Sequence, residues 1–510
     1  MGPILVLGLL ALAVLLHYLR SRFSLTHRRP PLPPGPKGLP FLGNLLDLPP
    51  DYSWLTYAKW RATYGDIIYL DTPASPTIIV NSAEASMELF ERRSINYSDR
   101  PDFTMLKLSG WDYHFAFMRY SDRWRAHRRI FHQYLQPRAV PDYYPAQVKS
   151  TSVMLQQFLK SPNEFEHHVR HHSGSIIMKT VYGYDIDPSG DPFVDLGDRG
   201  MESVRRTANV GSFLVDYIPS LKYLPRWFPG TQFMKIAEHW THCVEDVKEM
   251  PFKFTSEQMA DGIAPPSFVS ENLEKMKDVE ISGSETDREV LKNSAGAAFA
   301  AGADTTVSTV LAAMLAFILY PEVQAKAQAE LDTVVGQARL PNFDDRPQLP
   351  YIEAVLSEAL RWNPVVPLGV AHAALKEDIY NGYYIPAGAT VIGNVWGILH
   401  DEKDYPDPLV FNPDRFMPEE GKELPPEPTA AFGFGRRICP GRYLAVNSAW
   451  IAIASILSTL TLSKAVDSDG QVIEPSDVFT DEFISFPLPY KCTIKARSAQ
   501  AEALIASGEL

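Results

Sequence analysis

The sequence predicts a mainly α-helical protein with small β-sheets, folded as one large domain over residues 42–497. Three observations carry that prediction. Apolar residues recur at helical spacing over long stretches, as in RYLAVNSAWIAIASILSTL (442–460) and YIEAVLSEALRW (351–362). Strand-like segments are short and paired, as in IIYLD (67–71) and TIIV (77–80). Hydrophobic residues make up 45% of 510, enough for one extensive core.

The chain opens on an unbroken apolar run, Ile4 to Leu16, followed by Arg20, Arg22, Arg28 and Arg29. No basic residue precedes the run and no small-x-small site follows it, so residues 1–20 read as an uncleaved membrane anchor, not a cleaved leader. Positive charge on its C-terminal side keeps the main domain cytosolic. Residues 21–41 hold Pro30, Pro31, Pro33, Pro34, Pro36 and Pro40, which forbid helix and give a stiff hinge. A net charge of −13 gathers no phosphates, which excludes nucleic acid as a partner. Cys243, Cys439 and Cys492 are odd in number and far apart, a pattern of reduced thiols without a disulfide framework.

A helix is expected from about Trp54 to Tyr64, then the two short strands, then a helix over Ala83 to Arg93. Asn96 to Met118 reads as an irregular loop over a pocket. In Arg119 to Arg129, Trp124 and Arg128 lie four apart on one helical face, with Arg125 and Arg129 on the next. That second pair suits an acidic electron donor, or simply water. Glu164 to His172 places His167/His171 and His168/His172 at four-residue spacing, but the general base between them and a third ligand are missing, so a structural helix is expected. Phe213 to Pro251 is rich in aromatics and prolines and reads as a lid facing a membrane; Pro251 to Asp287 reads as a polar connector.

A capping box at Thr286 to Glu289 opens a long helix that runs to Tyr320-Pro321. Within it, AGADTT (301–306) sets Gly302 beside an acid and two hydroxyls, which predicts a locally widened turn where Asp304 and Thr305 hold water. Another helix follows from Pro321 to Gly336. Glu358 and Arg361, three apart, can pair on one turn of the 351–362 helix. YIPAGATVIGNVWGILH reads as a hairpin turning at Gly388, and the tail at 498–510 as disordered.

The most specific stretch is FGFGRRICPG (432–441). Its cysteine sits in a glycine-rich turn just ahead of a helix, where unpaired N–H groups favour thiolate. Gly433, Gly435 and Gly441 permit positive φ and close approach to a flat cofactor, and Arg437 can reach an anionic group on it. A buried structural cysteine is the bland alternative. The stretch meets F-x-x-G-x-R-x-C-x-G at Phe432, Gly435, Arg437, Cys439 and Gly441, and on these residues the chain resembles the cytochrome P450 family of haem-thiolate monooxygenases. Its wording is most like fungal members of secondary metabolism, such as O-methylsterigmatocystin oxidoreductase and tryptamine hydroxylases.

The resemblance implies the cytochrome P450 fold, with haem b (iron protoporphyrin IX) as cofactor and Cys439 as the axial iron ligand. It assigns Trp124, Arg128 and His372 to the haem propionates, and Asp304 and Thr305 to proton delivery during oxygen activation. It joins Arg415 of PDRF to Glu358 and Arg361 in a lock that fixes the cysteine loop. By the same resemblance the substrate pocket is lined by Met105, Ala301, Val366, Leu368, Phe483 and Ile484, the last two on a hairpin tip in FTDEFISFPLP. It further implies electrons from NADPH through a separate reductase, a hydrophobic small-molecule substrate, and a place on the endoplasmic reticulum membrane. A reductase-independent isomerase or dehydratase and a non-catalytic haem sensor are the other classes such a chain can belong to; the acid-threonine pair weighs against the first.

Overall fold

The computed structural model describes residues 29–73, 75–208, 212–278 and 285–508. The expected anchor therefore lies outside the described residues.

The fold is arranged around one helix, α8 (Glu285–Leu319), because that segment is apolar on nearly every face from Ala295 onward. By length and composition it would cross a membrane, yet 78% of its most apolar window is buried inside the protein, so it is a core helix. Around it pack α2 (Asp122–Leu135), α4 (Phe165–Tyr182), α5 (Pro192–Thr207), α6 (Gln232–Ala260), α10 (Pro350–Trp362) and α11 (Arg442–Thr459). The remaining labelled helices are α1 (Ser53–Tyr64), α3 (Tyr144–Lys160), α7 (Phe268–Asp278), α9 (Pro321–Val334) and α12 (Ala499–Ser507). Gly302 lets α4 and α8 touch: a Cβ there would stand 2.6 Å from Ile177 Cγ1. Its carbonyl accepts a hydrogen bond from Ser173 at 2.7 Å. The helix runs through 301–306 without the expected interruption, so close packing is what the glycine serves.

A four-stranded sheet lies to one side, in the order β1 (Ile67–Leu70), β2 (Thr77–Val80), β6 (Thr390–Gly393), β3 (His372–Ala373). β1 and β2 pair as expected, antiparallel with Ile67 opposite Val80, while β2 and β6 are parallel. The predicted hairpin at Gly388 does not form. β5 (Tyr383–Ile385) pairs with β4 (Asp378–Tyr380), and β6 leaves for the larger sheet. The true hairpin turn is Asn381-Gly382, both at positive φ, an Asn-Gly pair that suits a tight turn.

Three other expectations change. Pro251 lies inside α6, which continues to Ala260: the buried face of Val244, Val247, Phe252 and Thr255 outweighs the one hydrogen bond the proline forfeits. Asn96 to Met118 contains short helical turns at Thr104–Leu108 and Trp111–Tyr113. The tail is the helix α12, with Ser498 Oγ accepting from Ala501 N at 3.1 Å and Ile505 buried; Ser498, Ala501 and Ile505 were a legible cap-and-stripe signal. The histidines of α4 are structural, with His168, His171 and His172 buried and bonded to Ser161, Asp187 and Ser150.

Candidate active site

Cys439 and the middle of α8 face one cavity of about 300 Å³, the scale of a small-molecule site. One wall is the 432–441 loop. There Cys439 N donates to Phe432 O at 2.8 Å, Arg437 N to Phe434 O at 3.1 Å and Ile438 N to Gly435 O at 3.2 Å, folding the stretch into a compact turn. Gly433 and Gly435 do adopt positive φ, but Gly441 does not: at φ −85 it caps α11. Gly435 also turns away from the cavity. A Cβ there would lie 2.1 Å from the Phe90 carbonyl, so its glycine serves packing beneath the loop and not approach to a cofactor.

Cys439 is half-buried at the cavity wall, and desolvation there pushes its pKa up; backbone N–H groups of Gly441 and Arg442 and the guanidiniums of Arg128 and Arg442 pull the other way. The helix terminus is where the sequence put it, but desolvation outweighs it in the protein alone. A cation at the sulfur supplies what would make the thiolate.

Three guanidiniums line the same cavity: Arg100, Arg128 and Arg437. Burial depresses all three, Arg437 to about 9. Their hydrogen bonds go to carbonyls, Arg128 to Ile438 O (2.6 Å), Arg437 to Ser98 O (2.7 Å) and Met118 O (2.9 Å), Arg100 to Val370 O (2.7 Å) and Ala116 O (2.8 Å). Trp124 lies under Arg437 at 4.3 Å. His372 completes the group, its Nδ1–H donating to Tyr97 O at 2.7 Å, with its pKa held well down by burial and by Arg100 and Arg437. Among the described residues, no carboxylate lines this cavity. Buried cations left without an anion suit a bound dicarboxylate. Arg100 was missed in the sequence: it stands in an irregular segment with no periodicity to mark its direction, and its neighbour Asp99 pairs with Arg119 instead.

The sequence profile described as Cytochrome P450 matches residues 33–493. The chain belongs to the cytochrome P450 family. It is 42% identical to cytochrome P450 monooxygenase 208 of Postia placenta over 98% of this chain and 96% of that one. It is 43% identical to cytochrome P450 monooxygenase ARMGADRAFT_974139 of Armillaria gallica over 93% and 94%. To the tryptamine 4-monooxygenase of Psilocybe cyanescens it is 37% identical over 96% and 97%. This cytochrome P450 is thus an oxidoreductase of the monooxygenase class, and the family implies a haem. The residues present fit that group. Cys439 offers a soft sulfur donor, and Arg100, Arg128 and Arg437, bonded to carbonyls and, among the described residues, in no ion pair, match two propionates.

Of the residues expected at the site, Trp124, Arg128, His372, Phe432, Arg437 and Cys439 line the cavity, and so do Ala301, Thr305, Val366, Leu368, Phe483 and Ile484. Ala301 is exposed and Thr305 half-buried within the largely buried 291–318 part of the helix, and both line this space. Met105 is elsewhere, packed with Val215, Phe233 and Ala237. Asp304 is not at the cavity either. One residue along a helix is a rotation of about 100°, which turns Asp304 toward α4 and α5, where Arg170 and Arg205 hold it. Glu358, Arg361 and Arg415 do meet, with Arg361 Nε at 2.7 Å and Arg415 Nε at 3.1 Å from Glu358 Oε2. Their remaining bonds fasten Leu399 and the 406–412 segment, and the cluster of Leu399, Tyr405, Phe416 and Phe434 carries that anchorage toward the cysteine loop.

Proposed function

We propose that this cytochrome P450 hydroxylates or otherwise oxidises a hydrophobic small molecule of secondary metabolism, a terpenoid, polyketide or indole, with electrons from NADPH through a separate reductase. The observation that carries the reading is that Cys439 and Thr305 line one cavity whose other walls include Phe117, Ile177, Val204, Val366, Leu368, Phe483 and Ile484. An apolar body is favoured there by burial at about 25 cal/mol per Å².

Cys439, Arg128, Arg437, Arg100 and His372 would hold the haem, which when bound supplies the oxygen-activating chemistry. Thr305 Oγ1–H donates to Ala301 O at 2.8 Å, which leaves the hydroxyl lone pairs to accept a proton-carrying water on the cavity side. Asp304 is one residue away on the other face, bonded to guanidiniums whose further partners, Asp198 and Glu482, are partly exposed. In this reading Asp304 connects the Thr305 turn to solvent rather than touching the reacting atoms. Arg129, next to the Arg128 that bonds Ile438 O, and Arg436 of the cysteine loop are exposed and suit an acidic reductase surface, whereas Arg125 is already paired with Asp122. Exposed Tyr223, Trp227 and Phe228, with Phe41 and Leu46 near the hinge, support residence on the endoplasmic reticulum membrane with the catalytic domain in the cytosol.

Reconstitution with reductase, NADPH and dioxygen tests the proposal. The expected result is a thiolate-type Soret band in the reduced, carbon-monoxide-treated protein and a product one oxygen heavier than its substrate, formed only with NADPH and reductase. An unchanged band in Cys439→Ser, or product formed without reductase, overturns it.

A further inference from the structure

The segment after β2 begins as an ordinary helical turn, Ala83–Ser86, and is then wound wider over Met87–Arg92, closing with Arg93 N donating to Glu88 O at 3.0 Å, five residues back. Wide turns of this kind cost hydrogen-bond geometry and are concentrated at functional sites. Here the turn presents three neighbouring groups to the underside of the cysteine loop. The Glu91 carboxylate accepts from Gly435 N at 2.6 Å. The Phe90 carbonyl occupies the space a Cβ at Gly435 would need. The Phe90 ring, almost fully buried, lies against Phe434 at 5.0 Å in a near-parallel stack and against His372 at 4.5 Å. Ser94, just beyond, accepts from Arg436 at 3.3 Å. A slot for this stack is kept open at Gly393, where a Cβ would stand 2.7 Å from Phe434 and 3.2 Å from Phe90.

Gly435 is the pivot of the loop. Its carbonyl accepts from Ile438 N, and Cys439 follows directly. We infer that Glu91, assisted by Phe90, is a positioning residue for the Cys439 sulfur: it fixes Gly435 through a charge-assisted hydrogen bond and so sets where the turn carries the thiol. Glu91 touches neither the cavity nor the sulfur and acts only through Gly435. Glu88, on the same turn, pairs with Arg92 and Arg93 and makes no bond to the loop. The inference rests on Cys439 as the haem ligand.

The test uses full-length, haem-loaded protein with Glu91→Ala, Glu91→Gln and Glu88→Ala. Amide hydrogen exchange over residues 432–441 is read first, since it is independent of what the sulfur binds. Loss of one charge-assisted bond predicts exchange about tenfold faster in Glu91→Ala. Glu91→Gln, which keeps an acceptor, recovers most of that protection, and Glu88→Ala matches the parent. The second readout is the rate at which the thiolate Soret band is lost in urea below the unfolding transition, expected to rise by a similar factor in Glu91→Ala alone. Exchange within twofold of the parent in Glu91→Ala, or equal loss in Glu88→Ala, overturns the inference. A parent without the thiolate band counts against Cys439 as ligand, while the exchange ranking still decides the part of Glu91.

Discussion

Two buried carboxylates in this protein each sit between two arginines, and they have opposite characters. Glu358 is fully buried, as is Arg361, and Arg415 is nearly so. Its oxygens accept from both guanidiniums and from Asn412 N at 2.8 Å, and the spare arginine donors end on carbonyls of Pro406, Pro408 and Val410. Asp304 is just as buried, but Arg170 and Arg205 are partly open and share themselves with Asp198 and Glu482, whose side chains are 46% and 39% exposed. The ring of Phe486 backs both guanidiniums, at 5.1 and 5.7 Å. A closed triad can only hold; an open one can exchange partners and protons with water. The closed one fastens a loop away from the cavity, and the open one lies one residue from Thr305.

Removing Glu358 gives the strongest test of the difference. Glu358→Ala strands two buried guanidiniums and should cost about 3–5 kcal/mol in urea unfolding, with loss of bound haem as the visible consequence. Asp304→Asn should cost less, about 1–3 kcal/mol, because its arginines keep Asp198, Glu482 and water. If proton supply runs through it, turnover in the same variant should fall by at least about tenfold. Equal stability losses in the two variants would erase the distinction.

Acid should separate the two sites further. His400 lies near Arg361 and Arg415, and burial with their charge depresses it to about 3. A depressed folded value means stability is present above the ordinary histidine range and is lost as pH falls from about 6.5 toward 3, at roughly 1 kcal/mol per pH unit. His400→Gln should flatten that slope in unfolding curves taken across the window. The smallest effect belongs to Glu482, whose pKa is raised chiefly by burial. Its stabilising share is present below the ordinary glutamate value and lost as pH rises past it, so Glu482→Gln should gain slightly in unfolding midpoint near neutrality and not near pH ~4.

How much of the site was legible depended on whether direction could be inferred. Trp124 and Arg128 are four apart on a helix with a clear pattern, and Cys439 sits in a motif of fixed spacing; both landed at the cavity. Asp304 and Thr305 were paired through the AGADTT motif and the resemblance it carries, but neighbours on a helix point to different faces, and of the two only Thr305 lines the site. Met105 and Arg100 belong to an irregular stretch where no period says which way a residue points, so one was wrongly included and the other overlooked.

By itself the sequence determined the helical class, the cysteine turn before a helix, the pairing of β1 with β2 and the Glu358–Arg361 pair, all features set by local spacing. Tertiary structure alone decided that the Gly388 segment divides between two sheets, that Pro251 stays in a helix, that Gly435 packs on Phe90, and that Asp304 is held by arginines from two other helices. Each of these depends on partners far away along the chain, whose packing and desolvation energies outweigh local preference and leave no local trace.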